Sequence, residues 1–467
     1  MTFAARRVPL DARSQNAHNF LVATTQSIIV IGGGLAGLAA ATALAEHGRR
    51  VIILEARNRL GGRASSFRDT ASGQLVDTCQ HVSMGCCTNL AHFFRTLGVA
   101  DLIEPQPCLF FMTSDRRLSR FRSSPWPAPF HLAGSFLAAH YLTPLEKLRI
   151  AYGLACLRLG GDDDPPFQDW LDRHAQTPRT VERFWGLVLV SALNEVPERI
   201  GLRYARKVFL DGFLRHRRGF EVELPRVPLG RLYGEELQAW LTRHEVDLRL
   251  NTGVKLIHVA DGQVERIELR DGSTVQAHAY VAAVPFDRLL DMLPAQVVEA
   301  HAAFRELRRL ETSPITSVHL WHDRPILDLP HVVLIGCAGQ WVFNRGAVAA
   351  GEHYTQVVVS AARQFRGLGQ EEVQRLIVAE VNRLFPKAGS AKLLRARVIT
   401  EHAATFSAVP GVDCYRPPQA SPLPNLFLAG DWTATGWPAT MEGAVRSGYL
   451  AAEKVLGHTG LLVPDLR

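Results

Sequence analysis

The feature that most constrains the fold is a glycine-rich turn between a strand and a helix near the N-terminus. The β-branched run Ser27–Ile31 leads into Gly32-Gly33-Gly34-Leu35-Ala36-Gly37, with the spacing GxGxxG, and an Ala- and Leu-rich helix follows. In this spacing the first glycine permits the tight turn, the second admits a pyrophosphate, and the third lets helix and strand pack closely. The helix N-terminus offers unpaired N–H groups to the phosphates. The predicted cofactor contacts of this turn are Gly32, Gly34, Leu35, Ala36 and Gly37.

A second buried strand, at residues 51–54, completes a βαβ unit. Gly48 closes the preceding helix, and Glu55 comes directly after the strand. The expected right-handed crossover makes the two strands parallel. A carboxylate at this position accepts a hydrogen bond from a ribose hydroxyl. The unit therefore predicts a bound dinucleotide, and by itself it leaves NAD and FAD open.

The chain continues from Glu55 into a second glycine pair, with Arg59, Gly61, Gly62 and Arg63. These glycines bring backbone close to the cofactor again, and the two arginines neutralise pyrophosphate charge. An NAD dehydrogenase has no need of this extension, and the alternative is a surface loop with two arginines. The pattern ExxxRxGGR resembles the superfamily of flavin-containing amine oxidases and phytoene desaturases.

A second motif lies near the C-terminus. An apolar strand ends at Gly430-Asp431, and the last helix begins near Met441. Asp431 stands at the carboxyl end of the strand, where α/β sheets bind ligands, and its carboxylate suits the ribityl hydroxyls of a flavin. The helix dipole favours the negative charge of a reduced isoalloxazine ring. Since two distant motifs predict one ligand, the cofactor is predicted to be FAD.

The resemblance to this superfamily implies further FAD contacts. There the matching C-terminal segment holds the ribityl chain and the pyrimidine edge of the ring. We find no credible covalent tether, since Cys414 simply precedes a Pro-rich turn. FAD is therefore expected to be bound non-covalently. The contacts that the resemblance adds are Val254, Met441, Glu442 and Ala444.

The order of predicted elements indicates an α/β fold in which a Rossmann-type FAD-binding domain is interleaved with an α+β substrate domain, as in amine oxidases and phytoene desaturases. Residues 89–210 are predicted to be mostly helical, and strands resume after residue 245 with two Asp-Gly hairpin turns. Further strands are predicted at 274–284, 315–321, 332–335, 356–360 and 426–428, and a helix at 371–385. The FAD-binding domain is predicted over 27–100, 222–290 and 400–467, and the substrate domain over 101–221 and 291–399. Residues 1–26 are expected to be a disordered extension.

Charge and cysteine usage exclude several classes of protein. The formal net charge of +7 is spread over 467 residues without a dense basic run, which argues against nucleic-acid binding. A modest basic excess is typical of a solvated surface and also suits an anionic membrane. The seven cysteines are scattered and form no CxxC pair, so neither a disulfide framework nor a metal site is expected.

Two segments indicate a particular group of enzymes within this superfamily. Residues 77–90 and 430–444 are similar to the hydroxysqualene dehydroxylases, squalene-associated desaturase-like enzymes of bacterial hopanoid synthesis. The similarity runs from about residue 27 to residue 456 and is diffuse between 93 and 210. It implies removal of the hydroxyl of hydroxysqualene and addition of hydride from reduced FAD, which gives squalene. Amine oxidases usually carry small residues where this chain has Gln80-His81, so an amine substrate is disfavoured.

The implied reaction needs an acid, because cleavage of an allylic C–O bond expels a hydroxyl. His81 is predicted to be this acid, with Gln80 as its orienting partner and Asp77 as support. The alternative is that His81 caps a turn and touches the flavin only structurally. Cys86 and Cys87 are interpreted as small buried residues, because adjacent cysteines pair poorly.

Residues 123–145 form an uncharged stretch that contains two histidines. Its prolines, with His131 and His140, argue against a spanning helix. Residues 130–142 are predicted to be either an interfacial amphipathic helix at a lipid channel or a core helix of the substrate domain. The protein is expected in the cytoplasm, with peripheral contact to the inner membrane.

Three functions remain open at this point. The leading one is reductive dehydroxylation of a C30 isoprenoid lipid. An oxidative FAD-dependent desaturase or amine oxidase would use the same cofactor motifs. A non-catalytic carrier of flavin and lipid is the alternative of another class, and the polar Gln80-His81 pair beside intact flavin motifs argues against it. The sequence does not identify the electron donor that re-reduces the flavin.

Overall fold

A computed structural model describes residues 27–70, 73–161, 163–348 and 351–466, so the expected extension at 1–26 lies outside the described residues. The strands are β1 (Ser27–Ile31), β2 (Arg50–Leu54), β3 (Ser66–Arg68), β4 (Leu75–Asp77), β5 (Ser83–Met84), β6 (Ile103–Gln106), β7 (Cys108–Thr113), β8 (Leu118–Arg122), β9 (Val222–Pro225), β10 (Asp247–Arg249), β11 (Val254–Ala260), β12 (Gln263–Leu269), β13 (Thr274–Val275), β14 (Ala279–Ala282), β15 (Thr312–His322), β16 (His331–Ile335), β17 (Trp341–Ala347), β18 (His353–Val359), β19 (Leu393–Phe406) and β20 (Leu426–Leu428). The α-helices are α1 (Leu35–Glu46), α2 (Thr88–Leu97), α3 (Ala133–Ala138), α4 (Pro144–Leu159), α5 (Phe167–Arg173), α6 (Pro178–Thr180), α7 (Gly186–Leu193), α8 (Leu202–Phe209), α9 (Leu237–Arg243), α10 (Phe286–Met292), α11 (Ala295–Ala300), α12 (Ala302–Arg305), α13 (Gln370–Leu384), α14 (Pro386–Ser390) and α15 (Met441–Leu456).

A five-stranded parallel sheet forms the centre of the Rossmann part, in the order β10-β2-β1-β14-β20. All five residues of β1 are buried, because a central parallel strand has both faces covered. The predicted βαβ unit is confirmed, with β1 and β2 parallel and α1 between them in the chain. All of the sheet strands outside this unit come from residues beyond 240, so the FAD-binding fold is built from distant parts of the chain.

Helices α1 and α15 pack tightly against each other beside this sheet. A Cβ added at Gly448 would lie 2.3 Å from the carbonyl oxygen of Ala36, so only glycine permits this approach. The small alanine side chains of α1 also allow a close approach, and nearly all residues of the helix are buried. This packing holds the middle of α15 against the first turns of α1.

A seven-stranded sheet forms the second layer, in the order β19-β15-β18-β17-β16-β7-β8. Because side chains alternate along a strand, β15 presents two different faces. Val318 and Leu320 pack in a core with Ile377 of α13. His319, on the opposite face, contacts the ring of Phe67, so that face looks toward the FAD-binding part.

The structure corrects several predicted elements. Residues 103–122 are not helical, since they form β6, β7 and β8, and residues 130–142 contain only a short helical turn and α3. Strands β17 and β19 were not predicted from the sequence. Both have polar residues at many positions, and β19 is an edge strand rich in charge, where the alternation of apolar residues is lost. The predicted domain boundary at residue 400 falls inside β19.

Candidate functional site

The N-terminus of α1 has the properties of an anion-binding site. Gly34 is its extended N-cap residue, and among the described residues no side chain caps the helix and no acid lies in its first turn. Threonine side chains cap α4, α6 and α15, whereas α1 shares the absence of a cap from its own N-cap side chain with α2 and α13. The first N–H groups of α1 are therefore left for a negatively charged ligand.

The glycines of the first motif allow the close contacts that the spacing predicts. A Cβ at Gly37 would lie 2.0 Å from the carbonyl oxygen of Gly32, so the helix could not approach the turn with any larger residue. The second glycine pair lies directly on the first. The Gly61 N–H donates to the Gly33 carbonyl at 2.8 Å, and a Cβ at Gly62 would lie 3.1 Å from the Gly34 Cα. The two turns together form a cradle lined by backbone.

Glu55 is held at the end of β2 by two backbone donors. Its Oε2 accepts from the Gly33 N–H and its Oε1 from the Arg57 N–H, both at 2.7 Å. Each carboxylate oxygen has a further lone pair, so the carboxylate still suits a ribose hydroxyl. The Thr252 N–H donates to the Glu55 carbonyl at 2.8 Å, which brings Val254 at the start of β11 beside this strand end.

Arg63 and Asp431 join the two flavin motifs. Arg63 donates from Nη2 to Asp431 Oδ1 and from Nη1 to the Ala404 carbonyl, each at 2.7 Å. Burial lowers the pKa of Arg63, but the Asp431 carboxylate outweighs it and holds that pKa above its usual value. The sequence predicted Arg63 on the pyrophosphate, whereas in the structure its charge is matched by Asp431. Both residues line a small cleft of about 20 Å³ with Phe286, Thr312 and Trp432.

Arg59 makes a weaker contact than Arg63. Its Nε lies 3.4 Å from the Ser65 hydroxyl. Burial and the neighbouring Arg57 lower the pKa of Arg59, and Glu55 raises it in part. Of the two arginines in the extension, Arg59 is the one whose charge is left for phosphate.

Arg416 holds the loop that follows Asp431, and sequence reasoning missed it. Its fully buried guanidinium donates from Nη2 to the carbonyls of Asp431 (3.0 Å), Thr433 (2.6 Å) and Trp437 (2.8 Å). Nη1 donates to Asp413 at 2.9 Å and also contacts the Tyr204 hydroxyl. No local pattern marks this arginine, because its partners become neighbours only in the folded chain.

The start of α15 is divided between two roles. Met441 and Ala444 are partly exposed, one turn apart, as expected of residues against a ligand. The Glu442 carboxylate instead points away and caps α2, where it accepts from the Leu90 N–H at 2.7 Å and from the Asn89 side chain at 3.0 Å. Burial raises the pKa of Glu442 despite these donors. The prediction of Glu442 as a flavin contact is corrected for its side chain.

The loop Asp77–His81 is attached to the flavin cradle. The Thr78 hydroxyl lies 3.2 Å from the Arg63 carbonyl and 3.0 Å from the Ser65 carbonyl, as a donor that both share. The Thr78 N–H also donates to the Ser65 carbonyl at 3.0 Å. The loop that carries the predicted acid is therefore hydrogen-bonded to the residues that directly follow the second glycine pair.

His81 is held in one tautomer. Its Nδ1 lies 2.9 Å from the Cys79 carbonyl and must donate to it, which leaves the lone pair of the neutral ring on Nε2. Burial lowers the pKa of His81, and the nearby Arg63 lowers it further, while the Cys79 carbonyl and Asp77 oppose them. The imidazole is therefore mostly neutral at pH 7.

Gln80 and Asp77 contact the backbone and Arg345 rather than the imidazole. Gln80 donates from Nε2 to the His81 carbonyl at 3.0 Å and accepts from Arg345 at 2.6 Å. Asp77 pairs with Arg345 at 3.3 Å. Gln80 is thus a hydrogen-bond partner of the His81 backbone and not of its ring, and Arg345 is a residue of this site that the sequence did not indicate.

The adjacent cysteines have no features of a redox pair. Both Cys86 and Cys87 are free thiols at the start of α2. A hydrogen bond with Cys86, together with burial, raises the pKa of Cys87 well above its usual value. A thiolate is the reactive form, so this environment opposes redox chemistry. Across the described ranges, no cluster of three or more His, Cys, Asp or Glu side chains could hold a metal ion.

The uncapped helix, the backbone cradle and the joined Arg63–Asp431 pair fit a flavin dinucleotide and define an FAD-dependent oxidoreductase fold. The chain belongs to the flavin containing amine oxidoreductase family, whose model matches residues 35–456. The cofactor of the protein is FAD.

The relatives of this chain include enzymes of two isoprenoid reactions. It is 29% identical to 15-cis-phytoene desaturase of Solanum lycopersicum, over 93% of this chain and 78% of that one. It is 27% identical to hydroxysqualene dehydroxylase of Zymomonas mobilis, over 92% of this chain and 99% of that one. A solved oxidoreductase from Methanosarcina mazei superposes with a TM-score of 0.71 at 15% identity, over 90% of this chain and 98% of that one, and this supports the fold alone.

Proposed function

We propose that the protein reductively removes the hydroxyl of hydroxysqualene to give squalene, with non-covalently bound FAD. The observation that carries the proposal is the Gln80-His81 pair, which Thr78 attaches to the flavin cradle. The Nε2 atom of His81 can transfer a proton. Binding of an apolar lipid alone would require only apolar side chains at this place. Similarity to the Zymomonas dehydroxylase over nearly the full length of both chains supports the same reaction.

In the proposed reaction the C–O bond breaks and a C–H bond forms. Bound FAD supplies the hydride from its reduced form. His81 in its imidazolium form donates the Nε2 proton to the leaving hydroxyl, which departs as water, and a positioned acid of this kind typically contributes on the order of 100- to 10,000-fold. The Cys79 carbonyl keeps the ring in place through Nδ1. An external reductant, whose identity is open, restores the two electrons.

The second candidate is oxidative desaturation of an isoprenoid. Similarity to phytoene desaturases favours it, and so does the lowered pKa of His81, because a neutral imidazole accepts a proton instead of donating one. In that direction a bound flavin would accept the hydride, and His81 would accept the proton. The two candidates therefore require opposite protonation states of the same side chain.

A single-turnover experiment separates the two candidates. Enzyme reduced chemically under anaerobic conditions and mixed with hydroxysqualene is expected to yield one squalene per flavin, with return of the oxidised flavin spectrum. Squalene and phytoene mixed with oxidised enzyme serve as controls, and no flavin reduction is expected with either. Reduction of the flavin by phytoene, without turnover of hydroxysqualene, would replace the proposal by the oxidative candidate.

We also propose that the enzyme collects its lipid at an anionic membrane surface. Seven of the eleven exposed large hydrophobic residues in the described part of the chain fall between residues 126 and 159. We call them the apolar surface: Trp126, Phe130, Leu137, Leu145, Leu148, Tyr152 and Leu159. Four of them lie along the solvent side of α4, since Leu145, Leu148, Tyr152 and Leu159 follow helical spacing.

The charge around the apolar surface complements anionic lipid. Residues 116–158 contain seven arginines and lysines and a single acid, Glu146, which is buried and paired with Arg179. An open cleft of about 560 Å³ next to this segment is lined by Phe110, Arg122 and Glu221. The Glu221 carbonyl accepts from the Gly85 N–H at 2.9 Å, so the cleft borders the strand that follows His81. Within the described ranges no helix is long and apolar enough to cross a membrane.

Vesicle binding should depend on the outward face of α4. The double variant Leu148→Glu/Leu159→Glu is expected to lose binding to phosphatidylglycerol vesicles in a flotation assay, because it puts two charges into the bilayer boundary. Binding of the wild type should weaken with salt, since exposed charges are screened within about 8 Å at physiological ionic strength. Leu376→Glu, an exposed leucine on α13, is the control and should bind normally. Unchanged binding of the double variant, or a dimer that it breaks in size-exclusion chromatography, would reject a membrane as the occupant.

A further inference from the structure

Arg345 connects the seven-stranded sheet to the loop that carries His81. It lies near the end of β17, and its guanidinium is largely buried, with 15% of the side chain exposed. One nitrogen, Nη1, donates to Gln80 Oε1 at 2.6 Å and lies 3.4 Å from the Pro225 carbonyl. The other, Nη2, pairs with Asp77 Oδ2 at 3.3 Å. The planar fork of an arginine thus holds both ends of one short loop.

The bond to Gln80 reaches the backbone of His81. With its Oε1 taken by Arg345, the Gln80 amide can only present Nε2 in the other direction, where it donates to the His81 carbonyl at 3.0 Å. The imidazole itself is tied to the Cys79 carbonyl within the same loop. The position of His81 Nε2 therefore depends on the backbone of residues 79–81. Within this segment the His81 carbonyl is held by the Gln80 side chain.

Asp77 gives Arg345 a rigid anchor. Its Oδ1 accepts from the Ser66 hydroxyl at 2.5 Å and from the Leu229 N–H at 2.8 Å, so the carboxylate is fixed before Arg345 binds its other oxygen. The side chain is only 3% exposed. The position of a buried charge pair of this kind is fixed by hydrogen-bond geometry as well as by electrostatic attraction. Displacement of one charged side chain leaves the other without its partner.

We propose that Arg345 is a positioning residue, which orients Gln80 and through it the backbone that places His81 Nε2 at the reacting atoms. The proposal rests on the role of His81 in the proposed function. Arg345 reaches no substrate atom in this scheme and acts only through the loop. A lysine keeps the charge near Asp77 but has no planar fork, so it cannot hold both Asp77 and Gln80 in the same geometry.

The kinetic test is Arg345→Lys in the reduced, FAD-loaded enzyme. We expect kcat to fall about ten- to a hundredfold, as for a displacement of a reacting group by roughly 1 Å, with little change in KM or in bound FAD. In the His81→Gln background the same change should cause no further loss, because the group that it positions is gone. A full additional loss in that background would show that Arg345 acts elsewhere.

The second readout needs no substrate and so separates this inference from the proposed function. Enzyme labelled with ¹³C at histidine Cε1 should give a His81 signal, assigned by its absence in His81→Gln, and Arg345→Lys should change its shift and its titration midpoint. Arg397→Lys is the matched control, since Arg397 lies on the same sheet but pairs with Asp69 and stacks on Phe67. An unchanged His81 signal in Arg345→Lys overturns the inference even if dehydroxylation is confirmed. A changed signal without dehydroxylation keeps the positioning role and rejects only the reaction.

Discussion

Replacement of His81 by glutamine is expected to slow the oxidation of the reduced flavin by hydroxysqualene about 100-fold or more while FAD stays bound. Glutamine keeps a hydrogen-bond donor of similar reach but cannot deliver a proton at neutral pH, so the loss measures acid catalysis. Stopped-flow absorbance of flavin reoxidation in the presence of hydroxysqualene gives the rate. His92→Gln is the control, because His92 is another partly buried histidine, paired with Tyr449 away from the cradle. A His81→Gln variant with the rate of the wild type would limit His81 to a structural role.

The pH dependence of the wild-type reaction rate is an independent test of the role of His81. Burial lowers the pKa of His81 below its ordinary value of 6.5, so the imidazolium fraction declines as the pH rises through that lowered pKa. A reaction that needs the acid should therefore be faster in mildly acidic buffer and slower above it. A reaction that needs His81 as a base should show the opposite trend. The direction of the profile thus separates dehydroxylation from desaturation.

Replacement of Arg416 by methionine is expected to lower the free energy of unfolding by about 3–5 kcal/mol, because three buried carbonyl groups lose a charged donor and each unsatisfied group costs about 1–3 kcal/mol. The change leaves the buried carbonyls of Asp431, Thr433 and Trp437 without their donor. The half-buried Asp413 carboxylate loses one partner and keeps Arg203. The loop after Asp431 should then loosen, and FAD should be retained less well. Urea denaturation followed by circular dichroism, together with the ratio of flavin to protein absorbance, measures both effects.

An exposed arginine gives the matched control for this change. Arg308 pairs with Glu299 at 2.6 Å, and both side chains are more than half exposed, so Arg308→Met should cost at most about 1 kcal/mol. Where Arg416→Met is too unstable to purify, Arg416→Lys retains the charge and should lie between the two. Equal stability of Arg416→Met and the wild type would show that the loop is held by its packing instead.

The FAD cradle is the part of the site that the sequence predicts best. The turn at Gly32–Gly37 and the glycine pair at 61–62 depend on local geometry, because Gly32, Gly61 and Gly62 have positive φ and Gly37 packs against the Gly32 carbonyl. The strands around them are buried on both faces and read as continuous apolar runs. Because the causes are local, the sequence around them carries the signal, and β1 and β20 were predicted with the bounds that the structure shows.

The partners of the charged residues were decided by the tertiary structure. Arg63 and Asp431 are 368 residues apart, Glu442 and Asn89 are 353 apart, and Arg345 and Gln80 are 265 apart. From the sequence, Arg63 was expected on phosphate and Glu442 on the flavin, since a charge next to a ligand motif is most simply read as a ligand contact. A buried charge is stable only with a partner, and which partner it meets depends on how distant elements pack.

The helical region and the edge strand are also poorly predicted from local sequence. Strand β19 carries charges on an exposed edge, and α4 turns apolar residues to the outside, so neither follows the rule that apolar periodicity marks the buried face. The sequence by itself determined the cofactor cradle, because short-range steric demands select glycine and burial selects apolar runs. Only the tertiary structure decided that Arg345 meets the loop of His81 and that Arg416 meets the loop after Asp431, because these contacts join segments that are not local in the chain.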